Sequence, residues 1–368
     1  MDWVLEIVRE IIADKKLSLR LAVIRSEFDK ETILREFDKG HITPLAPAPE
    51  ATKKDIEDSV RIVAQMGEEP FVEALKGGAD VIIAGRSYDP SVFACLPIKE
   101  GFDRALALHM GKILECAAIC ALPGSGSDCM FGYLRKDHFV LEPLSKDRKC
   151  TTLSVAGHTL YEKTDPYHLP GPGGALDLHG CHFEQIDDNK VKISGTVFEP
   201  TDGYFLKLEG TRLVGYRTIS VAATTDPIMI SKIDSIIESV KARVKDNFDN
   251  YGIKDYYLDF KIYGKNGVMS MFDGIDGNMG SELMVVIEAV AKTQKEADTI
   301  CSFARSTMLH FGYEGRIATA GNLAFPFSPS DCHMGEVYEF SLYHLLKAED
   351  PKQYFPVEYV EYADGQRK

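Results

Sequence analysis

The sequence lacks most of the signatures that assign an enzyme to a class. It has no GxGxxG or GxxxxGK[ST] phosphate loop and no GxSxG nucleophile elbow, which disfavours these types of nucleotide binding and serine hydrolase chemistry. No run of about 18 apolar residues occurs, and the N-terminus lacks the pattern of a signal peptide. None of the eight cysteines forms a CxxC pair, so no metal-ligand set is predicted and buried, reduced thiols are expected. We therefore expect a cytoplasmic protein.

Basic residues are outnumbered by acidic ones, with 42 Lys and Arg against 56 Asp and Glu. The 368-residue chain carries a formal net charge of −14, which argues against nucleic acid and anionic membranes as partners. A small anionic ligand remains open, because a few cations in a cleft can outweigh distant charge that salt screens.

The pattern of apolar residues predicts an α/β plus α+β fold in four parts. Segment 1–138 alternates helices and strands, typical of a βα layer with a parallel sheet, and carries the candidate site. Segment 139–210 is expected to be antiparallel sheet. Segment 211–348 is expected to be a ferredoxin-like α+β domain with the split order β-α-β-β-α and a final strand near Gly315–Ala320. Segment 349–368 is expected to be a tail against a neighbour.

Three local expectations are specific enough to be checked. Helices are predicted near Asp55–Met66 and over Phe102–Cys120, and the alternating stretch TTLSVAGHTLYE is predicted to form a strand. The acidic segment Phe272–Glu282 fails the EF-hand pattern and is interpreted as a hairpin connection.

The stretch ADVIIAGRSYDPSVFA is the first candidate site segment. Its apolar run predicts a strand that ends before Arg86, and Asp89-Pro90 predicts an N-cap followed by a proline at the first helical position. Ligands of open α/β sheets bind at the carboxyl ends of strands, so Arg86 is a candidate clamp for a carboxylate or phosphate. A structural ion pair at Arg86 is equally open, and simple capping is favoured for Asp89.

The segment LALHMGKILECAAIC is the second candidate site segment. At about 100° per residue, Ala105, His109, Lys112, Cys116 and Cys120 fall on one helical stripe, from which Glu115 was expected to point away. Burial would lower the pKa of Lys112, which could then act as a base or anchor an anion with His109 as proton carrier. The alternative is a core histidine and a lysine that reaches water, and this alternative is favoured.

Two loops complete the candidate set. PGSGSDC, with Ser125 and Gly126, suits an anion nest or a lid, although ordinary loops have the same composition. HTLYEKTDPYHLPGPGGALDLHG places His158 and Asp177 on either side of a rigid turn that contains Gly173 and Gly174. A cross-strand hydrogen bond is an equally good interpretation of His158.

These blocks, with FEQIDDNKVKISGTVFEP, occur in one order and resemble the acyclic terpene utilisation AtuA family. The resemblance implies catabolism of citronellol- or geraniol-type terpenoids and branched acids, often beside acyl-CoA enzymes. It also implies a Gly-rich strand and turn before the first helix of family members. The sequence shows no such segment before its first predicted helix, so we expect the site to be incomplete or completed by another subunit. The matching polar residues are Arg86, Asp89, His109, Lys112, Glu115, His158 and Asp177.

The leading hypothesis is a lyase or hydratase for a small branched carboxylate or its acyl-CoA ester. In it Arg86 holds the carboxylate, while His109, Lys112 and His158 move protons by general acid–base catalysis. No cofactor is predicted beyond a CoA ester that forms part of the substrate. The alternative is a noncatalytic partner subunit of a catabolic complex, and a homo-oligomer or a sister subunit is expected in either case.

Overall fold

The computed structural model describes residues 1–268, 280–317 and 322–368. The chain divides into two compact units, Met1–Thr211 with Phe340–Lys368, and Arg212–Glu339. Helices and several sheets are present, so the mixed α/β class is confirmed. Within the described ranges, no helix combines the length and the apolar composition needed to cross a membrane.

The first half of the first unit alternates helices and strands. Its elements are α1 (Asp2–Asp14), β1 (Leu19–Ile24), α2 (Lys30–Asp38), β2 (Ile42–Pro44), α3 (Lys53–Glu57), β3 (Arg61–Gln65), α4 (Glu69–Lys76), β4 (Val81–Ala84), α5 (Pro90–Lys99) and α6 (Arg104–Leu114).

Short strands dominate the segment that follows. These elements are β5 (Met130–Leu134), β6 (His138–Pro143), α7 (Thr152–Thr159), β7 (His168–Gly171), β8 (Gly174–Asp177), β9 (His182–Gln185), β10 (Val191–Ser194), β11 (Val197–Pro200) and β12 (Tyr204–Thr224).

The remaining elements lie in the second unit and in the C-terminal part of the first. They are α8 (Pro227–Ser231), α9 (Ile233–Asp249), β13 (Tyr256–Tyr263), β14 (Leu283–Ala291), α10 (Gln294–His310), β15 (Asp331–Ala348), α11 (Pro351–Tyr354), β16 (Val357–Ala363) and β17 (Gln366–Arg367).

The sheet around β1 is mixed rather than parallel, in contrast to the sequence prediction. Its order is β17-β16-β1-β4; β1 pairs in parallel with β4 and antiparallel with β16. The last four residues of β1 are buried because both faces of the strand are covered: Leu21 and Val23 pack into one core, and Ala22 and Ile24 into another. Segment 349–368, predicted to be a tail against a neighbour, supplies β16 and β17 to this sheet of the first unit.

The middle of the chain forms two antiparallel sheets, with orders β5-β6-β10-β9 and β11-β8-β7. In the second of these, Leu169 and Leu176 point into a core shared with α6, whereas His168 and Asp177 form a cross-strand pair one residue along. Successive strand residues face opposite sides, so the histidine and the aspartate share the other face.

Three of the local predictions need correction. The stretch predicted as a strand around Val155 is helix α7, because Thr151 and Ser154 form a reciprocal capping box at its start. The helix predicted for Asp55–Met66 ends at Glu57, and strand β3 follows, paired with β12. Helix α6 ends at Leu114 rather than Cys120, and the left-handed backbone of Ala117 (φ 52°) follows directly.

The second unit contains β13, β14, the C-terminal part of β12 and the N-terminal part of β15, with the pairs β12–β14 and β13–β14 antiparallel. Apolar residues of α9 and α10 form one core with β13 and β14. Part of the predicted final strand Gly315–Ala320 and most of Phe272–Glu282 lie outside the described residues.

Helices α5 and α6 approach closely at Gly111, which matters because α6 carries Lys112. A Cβ at Gly111 would lie 2.5 Å from the carbonyl oxygen of Pro90, so Gly111→Ala forces the two helices apart. We expect a loss of about 1 to 3 kcal/mol in the free energy of unfolding, measured by urea denaturation. Gly157→Ala in α7 is the control: it meets no atom within 4 Å and should be neutral or stabilising. Equal stability of the two variants would contradict the tight helix contact.

Candidate active site

Arg86 lies where the sequence predicts it, two residues beyond the end of β4. Its backbone N–H donates to Oγ of Ser26 at 2.5 Å, and its Nε donates to Oε2 of Glu209 at 2.8 Å. This bond to Glu209 raises the pKa of the guanidinium. The ion pair predicted as the alternative is therefore present, and it fixes the orientation of Arg86.

Asp89 precedes α5, but the capping interpretation is wrong. Its backbone is helical and its side chain makes no capping hydrogen bond, whereas Pro90 does begin the helix as predicted. The Asp89 carboxylate lies 3.7 Å from Nη1 of Arg86 instead. Asp89 thus adds negative charge beside the arginine rather than stabilising the helix start.

Lys112 is buried in the last turn of α6 and is only 3% exposed. Its Nζ donates to Oε1 of Glu115 at 2.5 Å. The prediction that Glu115 points away is wrong, because residues three apart are neighbours on a helix surface. Burial raises the pKa of Glu115, and its second oxygen, Oε2, is buried without a hydrogen-bond partner among the described residues.

His158 lies on α7 and is 7% exposed. Its ring stacks on Tyr161 with centroids 5.4 Å apart, and the Nζ of Lys112 lies 5.7 Å from the same tyrosine ring. Burial, followed by the positive charge of Lys112, lowers the pKa of His158. No described residue offers a hydrogen-bond partner to its buried Nε2, so this nitrogen is a candidate contact for a water molecule or a substrate oxygen.

Lys163, just beyond α7, is a functional candidate that the sequence reasoning did not identify. Burial, reinforced by the positive charge of Lys112, lowers the pKa of Lys163 to about 8. Its Nζ lies 3.5 Å from the carbonyl oxygen of Pro170 and 5.4 Å from the ring of Tyr88. The preceding residue, Glu162, has a left-handed backbone (φ 61°), which a non-glycine residue rarely adopts outside constrained sites.

These side chains form what we call the dilysine cluster: Arg86, Lys112, Glu115, His158 and Lys163. The negative charge of Glu162 acts on the guanidinium, the imidazole and the Lys163 amine alike, and Asp89 acts on both the guanidinium and Glu115. Asp89 is thus a charged neighbour both of the arginine and of the Glu115 that pairs with Lys112.

His109, predicted to be the proton carrier, lies elsewhere in the first unit's core. Its Nδ1 is 2.7 Å from Oγ1 of Thr196 and its Nε2 is 3.1 Å from Oγ1 of Thr159. The ring is fully buried and packs edge-on against Phe139. Burial lowers the pKa of His109 to about 3, so the ring is neutral near pH 7. Both nitrogens are occupied by hydroxyls, which fits the core-histidine alternative.

The other predicted contacts are distributed over three places. Ser125 and Gly126 lie in a loop where the serine hydroxyl is 2.9 Å from that of Ser127. Gly173 and Gly174 lie in the β7–β8 turn; a Cβ at Gly173 (φ 72°) would lie 2.9 Å from the Tyr204 ring. Asp177 contacts His179 at the other end of this hairpin.

The β7–β8 turn borders the dilysine cluster. A Cβ at Gly171 would lie 3.0 Å from the ring of Tyr88, and this ring is also next to the Lys163 amine. The close approach explains why a glycine-rich turn is needed at this position.

Comparison with known proteins identifies the class. The chain matches the family described as acyclic terpene utilisation family protein AtuA over residues 3–124 and 138–324. The protein therefore belongs to the acyclic terpene utilisation AtuA family, as the four sequence blocks predict, and this membership indicates a role in acyclic terpene utilisation. The comparisons with curated proteins and with solved structures gave no match.

Proposed function

We propose that this protein is a lyase of the hydratase type that acts on a small branched carboxylate or its acyl-CoA ester. The observation that carries the proposal is that the positive charge of Lys112 acts on both the Lys163 amine and His158, whose Nε2 has no hydrogen-bond partner among the described residues. The negative charge of Glu162 acts on Lys163 and on Arg86. Two ammonium groups favour an anionic ligand, and their mutual repulsion favours a neutral amine on one of them.

Lys163 is the general base in this scheme. Its pKa of about 8 leaves an appreciable fraction of neutral amine near pH 7.5, and such an amine can accept a proton from the carbon next to a carboxylate or thioester carbonyl. The β-hydroxyl then leaves as water with the proton that Lys163 has taken, and a carbon–carbon double bond remains. The reverse reaction adds water across that bond, and neither direction consumes a net proton.

The neighbouring groups position the reactants. Lys112 is held by Glu115 and supplies fixed positive charge as negative charge builds up on the substrate's carbonyl oxygen. His158 offers Nε2 to the water that leaves or adds. His109 takes no part in proton transfer in this proposal, because its ring nitrogens bond to threonine hydroxyls within the core.

Arg86 is proposed to anchor the substrate carboxylate or, in a CoA ester, a phosphate. Glu209 holds the guanidinium through Nε, while Nη1 is 3.7 Å from Asp89, beyond hydrogen-bond distance. The side chain is 37% exposed, which leaves its terminal N–H groups accessible to a ligand.

The test is a turnover assay with branched 3-hydroxy acids, the matching unsaturated acids and the CoA esters of both. We expect turnover of at least one pair, and Arg86→Lys should lower kcat/KM by about 10- to 100-fold, since it retains the positive charge beside Glu209 but loses the planar fork. Arg9→Gln, on the exposed surface of α1, is the control and should leave kcat/KM unchanged.

Two results would count against the proposal. Absence of turnover across the whole panel would remove the hydratase assignment and favour a noncatalytic partner subunit. Turnover that Arg86→Lys leaves unchanged would remove Arg86 from substrate binding.

A further inference from the structure

A second group of chemistry-bearing side chains lies on the hairpin β7–β8, at the end opposite its glycine-rich turn. It consists of His168, Asp177 and His179, and one ligand-type atom from each lies within 4.8 Å of the other two. His168 and Asp177 are directly opposite in the strand pairing, and His179 follows two residues after the aspartate. The antiparallel register therefore brings together residues whose separation along the sequence matches no common metal-binding motif.

The backbone of hairpin β7–β8 is held in place by buried leucine side chains on the opposite face of the sheet. Leu169 and Leu176, the next cross-strand pair, are 1% and 2% exposed and pack into the core on the other face of the sheet. The histidine side chains are about half exposed, at 45% for His168 and 58% for His179. A rigid backbone with rotatable side chains allows the ligand atoms to move closer without refolding.

The orientation of each ring is supported by a neighbour. His179 stacks on Tyr167 with centroids 4.5 Å apart, and its Nδ1 is 2.6 Å from Oδ1 of Asp177. His168 has a carboxylate on each side: Asp165 lies 3.9 Å from Nδ1 and Glu199 lies 3.7 Å from Nε2. Metal-bound histidines commonly donate their free N–H to such a carboxylate.

From this geometry we infer that His168, Asp177 and His179 form a binding site for a divalent transition-metal ion, with zinc as the expected occupant. Two imidazoles and one carboxylate are a typical three-residue ligand set for zinc, and the fourth position is left for water or an anionic ligand. Zinc bonds of about 2.0 to 2.2 Å place tetrahedral ligand atoms about 3.4 Å apart. No two of the three atoms are more than 4.8 Å apart, so no pair has to approach by more than about 1.4 Å, which rotation of the exposed rings can provide.

Zinc titration of the full chain, without a histidine tag and after removal of metal by a chelator, tests the inference. Isothermal calorimetry should show one zinc ion per chain beyond any zinc held by thiols, and cobalt(II) at the same site should give the visible absorption of a tetrahedral complex with nitrogen and oxygen ligands. The double variant His168→Asn, His179→Asn should lose more than about 100-fold in zinc affinity, and Glu199→Gln about 10-fold.

The matched control is His138→Asn, His182→Asn, which removes two other histidines of the first unit and should bind zinc like the wild type. All of these proteins keep the eight cysteines, so zinc held by thiols contributes equally to each. Equal zinc affinity in the wild type and the His168–His179 variant would overturn the site. A wild-type protein that binds no zinc would overturn it as well. Neither result depends on catalytic turnover, so the hydratase proposal is tested separately.

Discussion

Replacing Lys163 by methionine lowers kcat of the proposed hydratase reaction by about 10²- to 10⁴-fold, the usual contribution of a positioned general base. Methionine has a similar length and removes only the amine, so the segment after α7 should keep its conformation. The measurement is steady-state turnover of the best substrate from the panel, with circular dichroism to show that the fold is retained.

The pH profile identifies the role of this amine. Neutral Lys163 is the active form of a base, so kcat/KM of the wild type should rise as the pH increases through about 8. Lys163→Arg keeps the positive charge but cannot lose a proton near this pH, and it should be as inactive as the methionine variant. An active arginine variant would show that Lys163 anchors an anion and does not act as a base.

Lys146→Met is the control for surface charge. Lys146 is exposed in the loop after β6, so its loss changes net charge equally without changing the dilysine cluster. Activity of this variant should match the wild type. A comparable loss in both variants would mean that long-range charge, and not the Lys163 amine, controls turnover.

Local sequence signals predicted the parts of the site that depend on neighbouring residues. Gly85 and Pro90 mark a strand exit and a helix start, so the position of Arg86 could be found without a structure. Local signals fail at Asp89: aspartate is a common N-cap residue, but this side chain makes no capping hydrogen bond and lies near Arg86. The carboxylate of Asp89 interacts with the guanidinium of Arg86 and not with the backbone N–H groups of α5.

The parts that depend on strand register could not be found in this way. The pKa of Lys163 is lowered by burial and then by Lys112, about fifty positions earlier, and nothing in the intervening sequence fixes either the burial or the approach of the two lysines. The His168–Asp177 pair follows from the hairpin register, which a glycine-rich turn alone does not specify. In both cases the missing information is tertiary, because the contacts are set by how helices and hairpins pack.

His109 shows how one helix can present two kinds of polar side chain. Lys112 donates to Glu115 within the dilysine cluster. One turn earlier, His109 is enclosed by Thr159, Thr196 and Phe139. The stripe pattern could not distinguish these outcomes, since it gives the face of a helix but not what covers each turn.

We expect His109 to make the protein lose stability in mild acid. Its pKa is about 3 in the folded chain and about 6.5 when unfolded, so the unfolded state binds the extra proton between these values. The contribution is fully present well above pH 6.5 and declines as the pH falls, by about 2 kcal/mol at pH 5 and about 4 kcal/mol at pH 3. Urea denaturation at pH 7.5 and pH 5 measures the first part of this loss.

The variant His109→Gln isolates the effect from other acid-sensitive groups. Glutamine retains hydrogen-bonding atoms but gains no proton, so it should cost about 1 to 3 kcal/mol at pH 7.5 and then lose about 2 kcal/mol less than the wild type on going to pH 5. His182→Gln, an exposed histidine on β9, is the control and should lose as much as the wild type. An identical loss in His109→Gln and the wild type would show that the folded protein accepts a proton on His109 as readily as the unfolded chain does, which would contradict the enclosed, neutral imidazole.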